Sequence, residues 1–151
     1  METTTKKSTG EQIKELIIIN NDRYEGYKTA ATETKDARLK SLFEEYSHQS
    51  KTFGDELQKL LPAKYAPAPG ETKTTGKLYR AFMDVKAALE GKDNKGILSS
   101  CEFGEDTAKK TYDDVLETSE EIERDALDVI RKQRSKLQES HDKIKMMRDS
   151  A

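Results

Sequence analysis

Glu45-Tyr-Ser-His48 sets a carboxylate and an imidazole three residues apart. On a helix that spacing brings both groups to one face. Gln138-Glu-Ser-His141 repeats the interval near the far end of the chain, with a neutral amide where the acid would stand. Glu25, Glu102 and Glu105 add acids from other segments. Acids and imidazoles from four helices are what a pair of iron or manganese ions needs in a bundle core. Carboxylates bridge and neutralise the two cations, and each histidine supplies a terminal nitrogen. Iron handling or oxygen reduction is the chemistry such a cage would perform.

A second stretch, "CEFGEDTAKKTY", poses a competing reading. Cys101, Ala108, Tyr112 and Val115 form one apolar stripe at helical spacing, and Glu105 falls inside it. A buried carboxylate without partners costs several kcal/mol or takes up a proton. Tyrosine hydroxyls and asparagine or glutamine amides can donate to it. The expected result is an internal polar layer of Asn20, Tyr24, Glu105, Gln133 and His141, holding helix register and no metal.

The elements that must position these groups are helices throughout. Ser8 and Glu11 have capping-box spacing, so a first helix begins near Thr9. Its stripe is Ile13, Leu16/Ile17, Asn20, Tyr24, Tyr27 and Ala31. Asp36 is an N-cap for a second helix, with Leu39, Leu42/Phe43, Tyr46, Gln49/Ser50, Phe53 and Leu57 on its inner face and Pro62 as its stop. "PAKYAPAPGETKTT" holds all three prolines and reads as an extended loop. A short amphipathic helix follows, carrying Leu78, Phe82, Val85 and Leu89 and ended by Gly91. A third long helix runs from about Lys95 to Thr118. Ser119 and the acids after it start a fourth that reaches about Asp149, with Ile122, Ala126, Ile130, Gln133, Leu137, His141 and Ile144 in its stripe. The fold class is therefore all-α. Four long helices with one long connection between the second and third describe a ferritin-like four-helix bundle. Residues 1–8 are expected to be a flexible N-terminus, residues 9–149 one bundle domain, and residues 62–94 its crossover segment.

Depth and direction along these helices weigh against the metal cage. Glu25, Glu45 and Glu102 fall at similar heights, whereas His141 falls roughly 9 Å higher at ~1.5 Å per residue. His48 points away from the Phe43–Tyr46–Phe53 stripe, and Glu25 lies on the flank of its helix. Gln138 does not neutralise a cation. No cofactor is expected, with iron or manganese on Glu25, Glu45, His48, Glu102, Glu105 and His141 as the alternative.

Composition excludes other classes. The net charge of −2 and the interleaving of basic with acidic residues leave no electrostatic footprint for nucleic acid. Hydrophobic residues make up 33% and charged residues 37%, a balance that suits slender amphipathic helices. A lone cysteine, Cys101, forms no internal disulfide and no cysteine zinc site. The longest wholly apolar run, Leu16 to Ile19, is far short of a membrane span. The mixed charge of the polar faces argues against a membrane surface. The N-terminus has no apolar signal core, so a cytoplasmic, soluble protein is expected. No nucleophile–base pair, phosphate loop or dinucleotide fingerprint is present.

Four stretches carry a family resemblance: "LIIINNDRYEGYKTAA", "LFEEYSHQSKTFGDELQ", "CEFGEDTAKKTY" and "HDKIKMMRD". Together, over about Gln12 to Asp149, the chain resembles a bacterial family of ferritin-like four-helix-bundle proteins, domain of unknown function 2383. The resemblance implies the bundle, no established activity and no catalytic residue; in that family the position of His48 is usually not histidine. The reading that follows is a non-catalytic bundle serving as a binding or stress-associated structural module. Ile18 and Ile19, or the outer side of the crossover helix, would meet a second copy or a partner helix. Phe103, off the main stripe, would be covered by Phe82 or Met83. The alternative is the di-metal protein.

Overall fold

The computed structural model describes residues 9–61, 94–118 and 122–151. These form α1 (Thr9–Glu33), α2 (Ala37–Gln58), α3 (Asn94–Leu116) and α4 (Arg124–Ser150), with no strand among the described residues. The fold is an all-α four-helix bundle. Asp36 explains the sharp start of α2. Its backbone is extended, with φ −84° and ψ 116°, and its carboxylate accepts from the backbone N–H groups of Arg38 and Leu39. Two of the four N–H groups that a helix start leaves unpaired are thereby satisfied. The other oxygen of Asp36 accepts from Asn94 Nδ2 at 3.0 Å. One side chain thus caps α2 and ties it to the first residue of α3.

Side-chain pairings fix the directions. Asn20 meets Ser50 and Tyr27 packs on Phe43, so α1 and α2 are antiparallel. Gln12 meets Thr118 and Arg23 meets Glu105, so α1 and α3 are antiparallel too. Tyr112 with Gln133 and Glu102 with His141 do the same for α3 and α4, and Phe53 with Gln133 and Gln49 with Ser140 for α2 and α4. Every neighbouring pair is antiparallel, while α2 and α3 run parallel. Leu61 packs near the start of α1, and Asn94 stands beside Asp36 at the other end. Residues 62–93 therefore join opposite ends of the bundle. The short helix expected at Leu78 to Leu89, the stop at Pro62, the cap at Ser8 and the loose N-terminus lie outside the described residues.

One boundary differs from expectation. The fourth helix begins at Arg124 behind an extended Glu123, with φ −60° and ψ 146°, not at Ser119. Ile122 is buried as a non-helical residue ahead of that start.

The core falls into two apolar clusters. Tyr27, Ala30, Leu39, Phe43, Tyr46, Ile97, Leu98, Cys101 and Ile144 pack at the Asp36 end. Ile13, Leu16, Phe53, Leu57, Tyr112, Val115, Ile130 and Leu137 pack at the other. Ile19 touches both, which accounts for the wide apolar surface around Ile18 and Ile19. Between the clusters lie buried Asn20, Arg23, Ser50, Glu105, Gln133 and Ser140.

Candidate functional site

Arg23 and Glu105 occupy the centre. They are 0% and 1% exposed, and Arg23 Nε lies 2.9 Å from Glu105 Oε1. The Tyr27 hydroxyl donates to the same oxygen at 2.6 Å. Both donors come from α1, one turn apart, and the acid comes from α3. The guanidinium carbon stands 5.2 Å from the Tyr27 ring centroid and 5.3 Å from that of Tyr46. Cation–π attraction across these faces offsets part of the cost of taking the charge out of water. Arg23 Nη2 and Glu105 Oε2 are buried without a hydrogen-bond partner in the protein.

From Arg23 a chain of donors crosses the bundle. Arg23 Nη1 donates to Ser50 Oγ at 2.8 Å, and Ser50 Oγ donates to Asn20 Oδ1 at 3.0 Å. Asn20 Nδ2 donates to the Leu16 carbonyl and to the Tyr112 hydroxyl, each at 2.8 Å. The Tyr112 hydroxyl donates to Gln133 Oε1 at 2.6 Å. Gln133 Nε2 ends the chain on the Phe53 carbonyl and Glu56 Oε1, at 3.2 and 3.0 Å. All four helices are joined by it.

The titratable groups are held away from reactive forms. Burial is the largest influence on Arg23 and lowers its pKa, but the Glu105 charge, the Tyr27 and Tyr112 hydroxyls and the hydrogen bond to Glu105 together outweigh it, and the net shift is upward. Burial, then the Glu105 carboxylate, pushes Tyr27 well above its ordinary value and Tyr46 up to about 12. The same two causes in the same order push the Cys101 thiol up, so it is a neutral packing group and no nucleophile. Burial pushes Tyr112 up as well. Neutral phenols and a fixed ion pair can orient helices.

Residues 8–118 match the family described as Domain of unknown function (DUF2383). The chain belongs to this family. No curated protein matches it. In this DUF2383 member the matched stretch holds Asn20, Arg23, Tyr27, Ser50, Glu105 and Tyr112, so the greater part of the layer lies within it. The closing "HDKIKMMRD" block lies beyond it.

Of the residues singled out for an internal layer, Asn20, Glu105 and Gln133 are buried and share the network just described. Tyr24 is half-buried, with Lys28 Nζ 5.5 Å from its ring on the outer side of α1. His141 stands at the bundle edge. Its Nε2 lies 3.4 Å from Glu102 Oε2 and 3.0 Å from Asp106 Oδ1, and its Nδ1 lies 3.1 Å from Asp142 Oδ1. Arg148 also pairs with Glu102. The meeting of His141 with Glu102 corrects the expected difference in height. Counting α4 from Arg124 lowers His141 by ~7 Å at 1.5 Å per residue, which removes most of the gap.

The residues of the metal reading are dispersed. Glu25, Glu45 and His48 are exposed, Glu102 and His141 are at the edge, and Glu105 is inside on Arg23. No group of three or more His, Cys, Asp or Glu side chains among the described residues is arranged to hold a metal ion. No helix among them is long and apolar enough to cross a membrane.

Arg23 is the central residue that the sequence reading passed over. After Asn20 the stripe can continue at position 23 or 24, and the aromatic Tyr24 fits an apolar face better than a cation does. The signal that discriminates is Glu105 itself: a buried acid calls for a buried base, and Arg23 is one turn from both Asn20 and Tyr27.

Proposed function

We propose that this chain acts as a non-catalytic helical bundle of the ferritin-like arrangement, with a central polar layer that is structural. The single observation that carries this reading is that Glu105, the acid at the bundle centre, is engaged by Arg23 and Tyr27 of the facing helix. Both donors meet Oε1, and a guanidinium 2.9 Å away repels a second cation from the whole carboxylate, its other oxygen included. The antiparallel neighbours, and a connection that joins opposite ends, support the ferritin-like arrangement. Metal analysis after expression in iron-rich medium tests the proposal. The expected result is well below about one equivalent of iron or manganese per chain. Close to two equivalents, lost on Glu105→Gln, would overturn it.

The binding side of the reading rests on Phe103 and Met146, the large hydrophobics that stay exposed among the described residues, at 54% and 64%. A second copy or a protein partner would make contact there. Phe82 and Met83, expected to cover Phe103, lie outside the described residues. Light scattering over a range of concentrations checks this: association that Phe103→Glu abolishes is expected, and monomer throughout would remove the homodimer.

A further inference from the structure

The sequence scatters basic residues among acids, yet folding gathers several of them. A surface trough of about 470 Å³ runs between α1 and α2. Its concavity has a plain origin. Ala31 and Ser47, both buried, are the small side chains at this seam, and the larger neighbours rise around them. Lys28 stands on the α1 side, and Lys40, His48 and Lys51 on the α2 side, against one acid, Glu44.

The lysines here differ from others on the molecule. Lys109, Lys110 and Lys136 each pair with a carboxylate one turn away. Lys28, Lys40 and Lys51 make no ion pair with any described residue, not even with Glu44. Lys28 rests instead over the Tyr24 ring. Three ammonium groups around one trough repel one another, and Glu44 is the one acid that lines it.

We propose that this trough binds a small, multiply charged, phosphate-bearing anion. The donor set decides the class. The Ser47 hydroxyl is committed to the Tyr24 carbonyl at 3.0 Å, and the Thr32 hydroxyl to the Lys28 carbonyl at 3.0 Å. Recognition therefore falls to the ammonium groups and His48, with the Tyr24 hydroxyl as a neutral donor. Lysine meets phosphate as a point charge on a flexible stem, so the site selects charge before shape. Three such charges suit a ligand with two or more negative charges better than a single carboxylate. A trough of about 470 Å³ has room for a small molecule. Exposed Glu25, Glu45 and Asp55 on the same two helices interrupt any longer basic strip, which excludes extended nucleic acid. No residue of the trough belongs to the Arg23–Glu105 layer, so this inference and the proposed function stand or fall separately.

Amide chemical shifts of the full chain, titrated with inorganic pyrophosphate at constant ionic strength, test it. Saturable shifts concentrated in Tyr24–Thr32 and Lys40–Lys51 are expected, with an apparent Kd of about 1 mM or tighter. Lys28→Gln with Lys51→Gln should weaken binding by roughly tenfold or more, with an unchanged circular dichroism spectrum. Lys109→Gln with Lys136→Gln should leave it unaltered. Shifts that do not saturate, that spread over every lysine, or that persist in the Lys28/Lys51 variant would overturn the proposal. Saturable binding of polyglutamate without binding of pyrophosphate would overturn it in favour of an acidic protein partner.

Discussion

A guanidinium with no exposed surface needs partners for its charge, and Arg23 finds them in Glu105 and two aromatic faces, with Ser50 taking a further donor and Nη2 left over. The pair is strongly mutual. Removing the acid alone leaves a buried positive charge, so Glu105→Leu should cost about 3–5 kcal/mol in urea unfolding. Removing both charges should restore most of that loss: Arg23→Met with Glu105→Leu is expected within about 1–2 kcal/mol of the parent. Equal losses in the single and double variants would show that the charges do not depend on each other. Glu105 was legible in the sequence because its position inside a stripe needs only the helical period. Arg23 was not, because periodicity admits two adjacent positions there and hydrophobicity favours the neighbour. What decides between them is a contact with a helix some eighty residues away, which no local pattern carries.

Among the elements, α2 carries two features that make opposite predictions. Asp36 caps it, and the Leu39 N–H, with Asn94 and the Arg38 N–H, holds the Asp36 carboxyl below its usual value. A lowered folded-state pKa means that the contribution is present above the unfolded value, about 4, and is lost as pH falls through the folded one. Asp36→Ala should therefore cost about 1 kcal/mol near pH 7. The gap between parent and variant should close as pH falls below about 4, as thermal melts across that range would register. Gly54 is buried in the same helix, yet a Cβ built there would come no nearer than 4.0 Å to Asn21 Oδ1. The space is open, so Gly54→Ala should stabilise the protein by about 0.5–1 kcal/mol through helix propensity. A loss of stability would show that the close approach of α1 depends on the missing side chain. The cap was legible because Asp before a periodic run has a local mechanism. The start of α4 was not, since Ser119 and the acids after it satisfy the same local rule. What differs is the extended backbone at Glu123, which starts the helix at Arg124 and which no local pattern marks. The misplaced start then propagated into the height assigned to His141.

For the whole molecule, the polar layer divides one core into two. A buried network of this kind lowers stability relative to an apolar core and in return restricts which packings are allowed. Replacing it wholesale, with Asn20→Leu, Arg23→Met, Ser50→Ala and Glu105→Leu together, should keep the helix content and raise or preserve the melting temperature. It should also broaden the amide spectrum and increase dye binding to exposed apolar surface, as more than one helix register becomes populated. A sharp, well-dispersed spectrum would show that apolar packing alone fixes the register. Four helices and their stripes follow from period and breakers, which is why the bundle was readable from the chain. The sorting of charge was not, because whether Lys28 and Lys51 share a trough depends on which faces of α1 and α2 meet.

That antiparallel arrangement has an electrical consequence. Each end of the bundle presents two helix beginnings and two helix ends, alternating around the square. Each macrodipole thus lies beside two of opposite direction, and the partial charges at either end cancel over a short distance. The four described helices therefore give no net polar axis. Among these helices charge asymmetry is left to the side chains, and the flank where Lys28, Lys40 and Lys51 line one trough against Glu44 supplies some.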